Sequence, residues 1–203
     1  MKSFSKKSQR GYSLIELSIV LAILGVLIAG SIIGVQAILR SNNVNKTIAQ
    51  TNLAANKIVG KLLRDTSYAS ATTLNLTRQG VEIWSTADIT SGGTIAVQVT
   101  HPLGGRLFVE PLSALTENVA INQGYVYTLA NVPVAACADL AVGLESLAYV
   151  MNIANENPPN AGRTVPAGTL VKDPATPFNS NAVNGACAGL TDQTTITFLV
   201  PRR

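Results

Sequence analysis

Four side chains invite a chemical role by type or placement: Glu16, His101, Cys137 and Cys187. Glu16 is the one side chain charged at neutral pH between Gly11 and Arg40. A carboxylate in so apolar a stretch costs roughly 2.5–3.5 kcal/mol on insertion scales, so its presence argues for a cationic partner. The alternative is an acid at a helix amino end, favoured by the helix dipole and within reach of lipid head groups. His101 is the only histidine and sits beside Pro102, with no nucleophile motif around it. It reads as a turn residue rather than a general base. The two cysteines have no further cysteine near either of them, so a metal site lacks ligands. Asp88, Asp139, Asp173 and Asp192 are dispersed and read as turn or surface acids. The Gly-Gly pairs lack the strand–helix setting and the lysine of a phosphate loop. Aromatics make up 5% of the chain, too few for a base-stacking surface. The expectation is a protein that is not an enzyme, holds no cofactor or metal and has no specific nucleic-acid partner.

The element that must position Glu16 is Gly11–Leu39, an apolar run that as a helix rising ~1.5 Å per residue spans the ~30 Å hydrocarbon layer of a bilayer. Lys2, Lys6, Lys7 and Arg10 precede it, with no acid among them. Positive charge holds that end in the cytoplasm, so the bulk after Arg40 belongs on the far side. A secretory signal would have a shorter apolar core and a small-residue cleavage site beyond it. Ala29-Gly30-Ser31 mimics such a site, but the run is too long. A plain membrane anchor leaves Gly11 and Glu16 unexplained.

The string as a whole runs from a basic leader through Gly11, then Tyr12-Ser-Leu-Ile-Glu16, then unbroken apolar sequence. It resembles the class III signal of the type IV pilin and pseudopilin superfamily. The resemblance implies cleavage by a prepilin peptidase between Gly11 and Tyr12, with Tyr12 N-methylated as the new first residue. It also implies that Glu16 pairs with the terminal amine of a neighbouring subunit during assembly. Two charges that are each expensive in hydrocarbon become tolerable when assembly joins them. Phenylalanine is the commoner residue after the cut; Tyr12 keeps the aromatic ring and adds a hydroxyl.

Loss of such a leader changes the charge balance. The whole chain of 203 residues carries a formal +4, whereas residues 12–203 hold eleven basic and eleven acidic side chains. Near-neutrality removes any broad attraction for nucleic acid. Charged residues are only 13% of the chain, a composition suited to a subunit that buries much of its surface against copies of itself. In an exported chain Cys137 and Cys187 read as one disulfide, since extracellular compartments sustain the oxidised form. Two separately buried thiols are the alternative.

The helix is expected to run from Tyr12 to about Arg64. Val44, Ile48, Ala55, Ile58, Val59, Leu62 and Leu63 form a stripe on its second half. Gly30-Ser-Ile-Ile-Gly34 fits the small-xxx-small pattern of closely approaching membrane helices. Past Arg64 come short β-branched or aromatic runs: Val81–Trp84, Ile95–Val99, Leu107–Val109, Tyr125–Leu129 and Thr194–Val200. Asp65–Gly80 reads as an irregular connection, Gly92-Gly93 as a turn, and Leu103-Gly-Gly105 as a hairpin joining Val99 to Leu107. A second helix is expected across Pro133–Met151, with Asn131 able to cap it. Asn152–Gly189 reads as a long surface excursion that the cysteine pair closes.

The expected fold class is thus α+β: a long helical stem on an antiparallel sheet, with a disulfide-closed C-terminal region. The layout resembles the type IVb pilins, which have a late strand inserted into the sheet. The absence of proline before Pro102 agrees with that branch; the short leader departs from it. The implied domains are a leader (1–11), a membrane and filament-core half-helix (12–39), an amphipathic half-helix (40–64) and a globular head (65–203). The implied function is a pilin subunit, a membrane precursor before assembly with its head outside the inner membrane, then part of an extracellular filament. Its implied partners are prepilin peptidase, related pilin subunits and the inner-membrane assembly machinery. A minor pilin or adhesin presenting the C-terminal region, or a secretion pseudopilin, uses the same scaffold.

Overall fold

The computed structural model describes residues 13–81, 85–91, 94–155, 168–189 and 192–202. They fall into two compact units, Met1–Leu39 and Arg40–Arg203. Helix α1 runs Leu14–Leu62, ~74 Å at the usual rise. In its second half Val44, Thr47, Thr51, Ala54, Ala55, Ile58 and Leu62 are buried, at the three-and-four spacing of one helix face. Leu63, expected in the stripe, is 68% exposed because the helix ends one residue earlier. Small residues, invisible to a search for large hydrophobics, complete the face: Thr47, Thr51 and Ala54 are buried, and Ala54 packs in the main core.

The sheet has seven strands, all antiparallel, in the order β1-β2-β3-β4-β7-β5-β6. These are β1 Ser85–Ser91, β2 Thr94–Thr100, β3 Arg106–Pro111, β4 Gly124–Pro133, β5 Val150–Ala154, β6 Thr169–Lys172 and β7 Gln193–Pro201. The last strand enters the middle, between β4 and β5. Tyr125, Tyr127 and Leu129 of β4 and Ile196, Phe198 and Val200 of β7 point into the main core with the α1 stripe. Tyr127 lies opposite Phe198 in the ladder, their rings stacked at 5.1 Å. Tyr68 meets Tyr125 with ring centroids 5.8 Å apart. Burial pushes the Tyr68 hydroxyl above its usual pKa range, against the lowering influence of Arg202. The opposite face carries a smaller cluster of Leu112, Val119, Val126, Val150 and Leu199.

The hairpin joining Val99 to Leu107 is present. These residues are Cα partners, and Gly104, at φ 88°, donates to the His101 carbonyl at 2.9 Å. Other boundaries differ from expectation. Helix α2 (Thr73–Arg78) forms inside Asp65–Gly80, capped by Thr72, whose hydroxyl accepts from the Asn75 amide. The Thr73 hydroxyl clamps the helix to β3 by donating to the Val109 carbonyl and accepting from its amide. Of Val81–Trp84, Val81 is buried outside any strand and 82–84 lie outside the described residues, as does the Gly92-Gly93 turn. Helix α3 is Val134–Leu144, not Pro133–Met151. Val150–Ala154 pairs with β7 on one side and β6 on the other, and two ladders outweigh a continued helix. Asn131 does not cap α3: it sits at φ 58° where the β4 register shifts, its amide donating to Gln193 Oε1. Within Asn152–Gly189 the chain forms the end of β5, then β6, then helix α4 (Ser180–Ala188), while 156–167 lie outside the described residues. Asn179 caps α4 by accepting from the Asn181 amide at 2.9 Å.

Cys137 of α3 and Cys187 of α4 form the expected disulfide, with their Cα atoms 6.0 Å apart. It encloses α3, β5, β6 and α4, a span of 50 residues. Closing a loop of that length stabilises by about 4 kcal/mol on the chain-entropy account. The double variant Cys137→Ser with Cys187→Ser, in detergent, should lose about that much in guanidinium titration. An unchanged midpoint would show that the packing of α3 on α4 suffices alone.

His101 is buried at 3% exposure, its Nε2 3.0 Å from the Ala130 carbonyl. That contact makes Nε2 the donor of a neutral ring, while Nδ1 is buried with no partner among the described residues. Burial holds its pKa below the ordinary 6.5, only partly offset by the Ala130 bond. The unfolded chain therefore takes up the proton first. Stability from the neutral ring is complete above pH ~6.5 and is lost as pH falls from there through the lower folded value. Thermal unfolding in detergent should show that decline, and His101→Gln should flatten it. Equal slopes in both proteins would refute the assignment.

Candidate functional site

The apolar half of α1 is a helix because nothing in it interrupts one: it has no proline, and its branched side chains are spaced by glycine and alanine. Its hydroxyls are satisfied inside the helix, Ser18 donating to the Ile15 carbonyl and Ser31 to that of Leu27, both at 2.8 Å. Such internal bonds suit a segment that meets no water. Of the described side chains from Leu14 to Leu39 none is buried. Fifteen large apolar side chains there stand exposed, from Leu14 at 87% to Leu24 at 46%. Burying that surface is worth on the order of 20 kcal/mol, more than the whole stability of a typical domain. By length and composition the helix can cross a membrane.

Glu16 lies in the first turn of α1, exposed, with no ion pair or hydrogen bond among the described residues. Gly11 and Tyr12 lie outside the described residues. Gly25, Gly30 and Gly34 have open space where a Cβ would stand, so no neighbour among the described residues demands glycine there.

Cys137 and Cys187 are brought together in the other unit, where they staple α3 to α4. The sequence reading missed α4, although Asn179 as cap, Val183 and Cys187 one turn apart, and Gly189 as stop are its signals. Among the described residues no group of three or more His, Cys, Asp and Glu side chains gathers. His101 is a packing histidine on the hairpin, and Asp139 lies on α3 with its carboxylate exposed.

Residues 6–32 match the prokaryotic N-terminal methylation motif. The chain is 31% identical over 159 residues, 77% of each chain, to the major structural subunit of bundle-forming pilus from Escherichia coli O111:H-. It shows the same identity and coverage with that subunit from Escherichia coli O127:H6. In fold it is similar to a type IV b pilin from Salmonella typhi, at TM-score 0.54 and 16% identity, covering 76% of this chain and 97% of that one. It is also similar to TcpA, a type IV pilin from Vibrio cholerae El Tor biotype, at TM-score 0.52 and 16% identity, over 78% and 98%. With 31% identity to the bundle-forming pilus subunit over 77% of both chains, and the fold of solved type IV pilins, this chain belongs to the type IV pilin family.

Proposed function

We propose that this chain is a filament-forming pilin, made as a membrane precursor and assembled through α1 into an extracellular pilus. The observation that carries the reading is the bare apolar stem with one unpartnered acid near its start. A surface of that size has two tolerable surroundings, a bilayer and a bundle of its own kind. Prepilin peptidase cleaves between Gly11 and Tyr12, and the methylated amine of Tyr12 meets Glu16 of a neighbouring stem. Residues 12–39 form the filament core, 40–64 carry the head, and 65–203 make the outer surface. The basic leader keeps the amino end cytoplasmic, so the head lies outside the inner membrane before assembly. The likeness to major structural subunits favours an abundant subunit over a scarce tip protein.

Mass spectrometry of filaments sheared from cells tests the scheme. The expected mature chain begins with methylated Tyr12 and lacks two hydrogens at the cysteines. Glu16→Ala should leave processing intact yet reduce surface filaments about tenfold, the loss of one buried charge pairing. Full-length Met1 in filaments, or normal filaments from Glu16→Ala, would sink the assembly role.

A further inference from the structure

Near-neutrality of residues 12–203 conceals a separation of charge. Residues 40–64 hold five cations and no acid, whereas residues 65–203 hold six cations against ten acids. Lys46 and Lys57 lie on the side of α1 away from its buried stripe, Lys61 one turn after Lys57 on the adjoining flank, and Arg64 just past the helix end; all four are exposed. Leu53, half exposed, stands between them. None of the four cations has an ion pair among the described residues, whereas Lys172 pairs with Glu145. The outward face of the half-helix is therefore a cationic strip with an apolar patch and no counter-charge of its own.

Asp139 is a matching acid without a partner. It is exposed on α3, forms no ion pair or hydrogen bond among the described residues, and lines a groove between α3 and α1. Ser41, Val44, Asn45 and Val142 line the same groove, and Asp139 is its one charged residue. Val142, half exposed, offers an apolar counterpart to Leu53. The groove exists because α3 lies close on α1 at Gly143, where any Cβ would strike Ile48.

We propose that this groove receives the cationic strip of a second copy of the chain, with Lys57 and Lys61 flanking Asp139 and Leu53 against Val142. The two surfaces are different patches, so the contact is heterologous. Asn45 and Lys61 stand ~24 Å apart along α1, so parallel copies joined this way are staggered by about that length. A staggered heterologous contact between parallel copies cannot close into a dimer and propagates instead. The inference rests on the filament reading above and adds the faces through which neighbouring heads contact one another.

The test is a charge swap in the full-length chain, expressed where wild-type filaments form. Asp139→Lys alone, and Lys57→Glu with Lys61→Glu, should each lower sheared filament about tenfold through like charges facing across the contact. The triple variant carrying both changes should recover most of the yield. Processed, disulfide-bonded subunit in membrane extracts must equal wild type, which separates failed assembly from failed folding. Asp139→Asn provides the milder case: filaments that form but fall apart in less salt than wild type. Wild-type yield and salt tolerance from Asp139→Lys, or no recovery in the triple variant, overturns the contact while leaving the filament reading intact. No filaments from wild type overturns both.

Discussion

The structure depends on apolar surface that the folded chain cannot cover. An ordinary domain turns its hydrophobic stripe toward its own core, as α1 does from Val44 to Leu62. From Leu14 to Leu39 the same helix is mostly that kind of surface, and none of its described side chains is buried. Water excludes it by a margin larger than the stability of the head could offset. The hydroxyls of Ser18 and Ser31 turn back into the helix, and the glycines leave flat places on its side. Only Glu16 resists such a setting. An acid retained there makes sense when the environment that receives the stem also brings a positive charge to it.

The head solves a different problem, how to hold a sheet together when one of its interior strands is the last strand of the chain. β7 pairs with β4 and β5, and without it the two halves of the sheet have no shared ladder. That strand contributes Ile196, Phe198 and Val200 to the core under α1, so stem and sheet are welded late in the chain. The segment between α3 and β7 has few long apolar runs, and the Cys137–Cys187 bond limits how far it can wander when β7 is not yet in place. The disulfide and the inserted strand therefore serve the same end from two sides.

What could be read in the sequence followed how strongly each physical signal stands above its surroundings. The long apolar run, the lone acid and the β-branched strands are patterns of many residues, and the hairpin at Gly104 has a turn that demands glycine. Identity of the fold came from an ordered string of residue types near the start, not from periodicity. The failures lie where tertiary pairing overrides local preference. Val150 and Met151 fall at the end of the expected helix and Asn152–Ala154 in the expected excursion, yet this backbone finds two strands to bond. Helices α2 and α4 are short, with only Leu76 in one and Val183 and Cys187 in the other turned into the core, and caps at Thr72 and Asn179 fix their starts. Thr47, Thr51 and Ala54 were missed because they are small or polar, and a stripe of large hydrophobics passes over them.

Charge completes the picture that burial begins. Burial is non-directional, and a stem that is apolar on every side accepts a neighbour at any rotation or height. A filament with a defined repeat needs something that tells one register from another. Fixed charges do this well, because a wrong register places like charges together or leaves an acid unpaired. The chain supplies such charges at two levels, Glu16 in the stem and the cationic strip opposed by Asp139 farther along. On the proposed contacts, hydrophobic surface drives association of subunits and a handful of separated charges sets the register, a division of labour that fits a chain whose few ionisable groups are so unevenly placed.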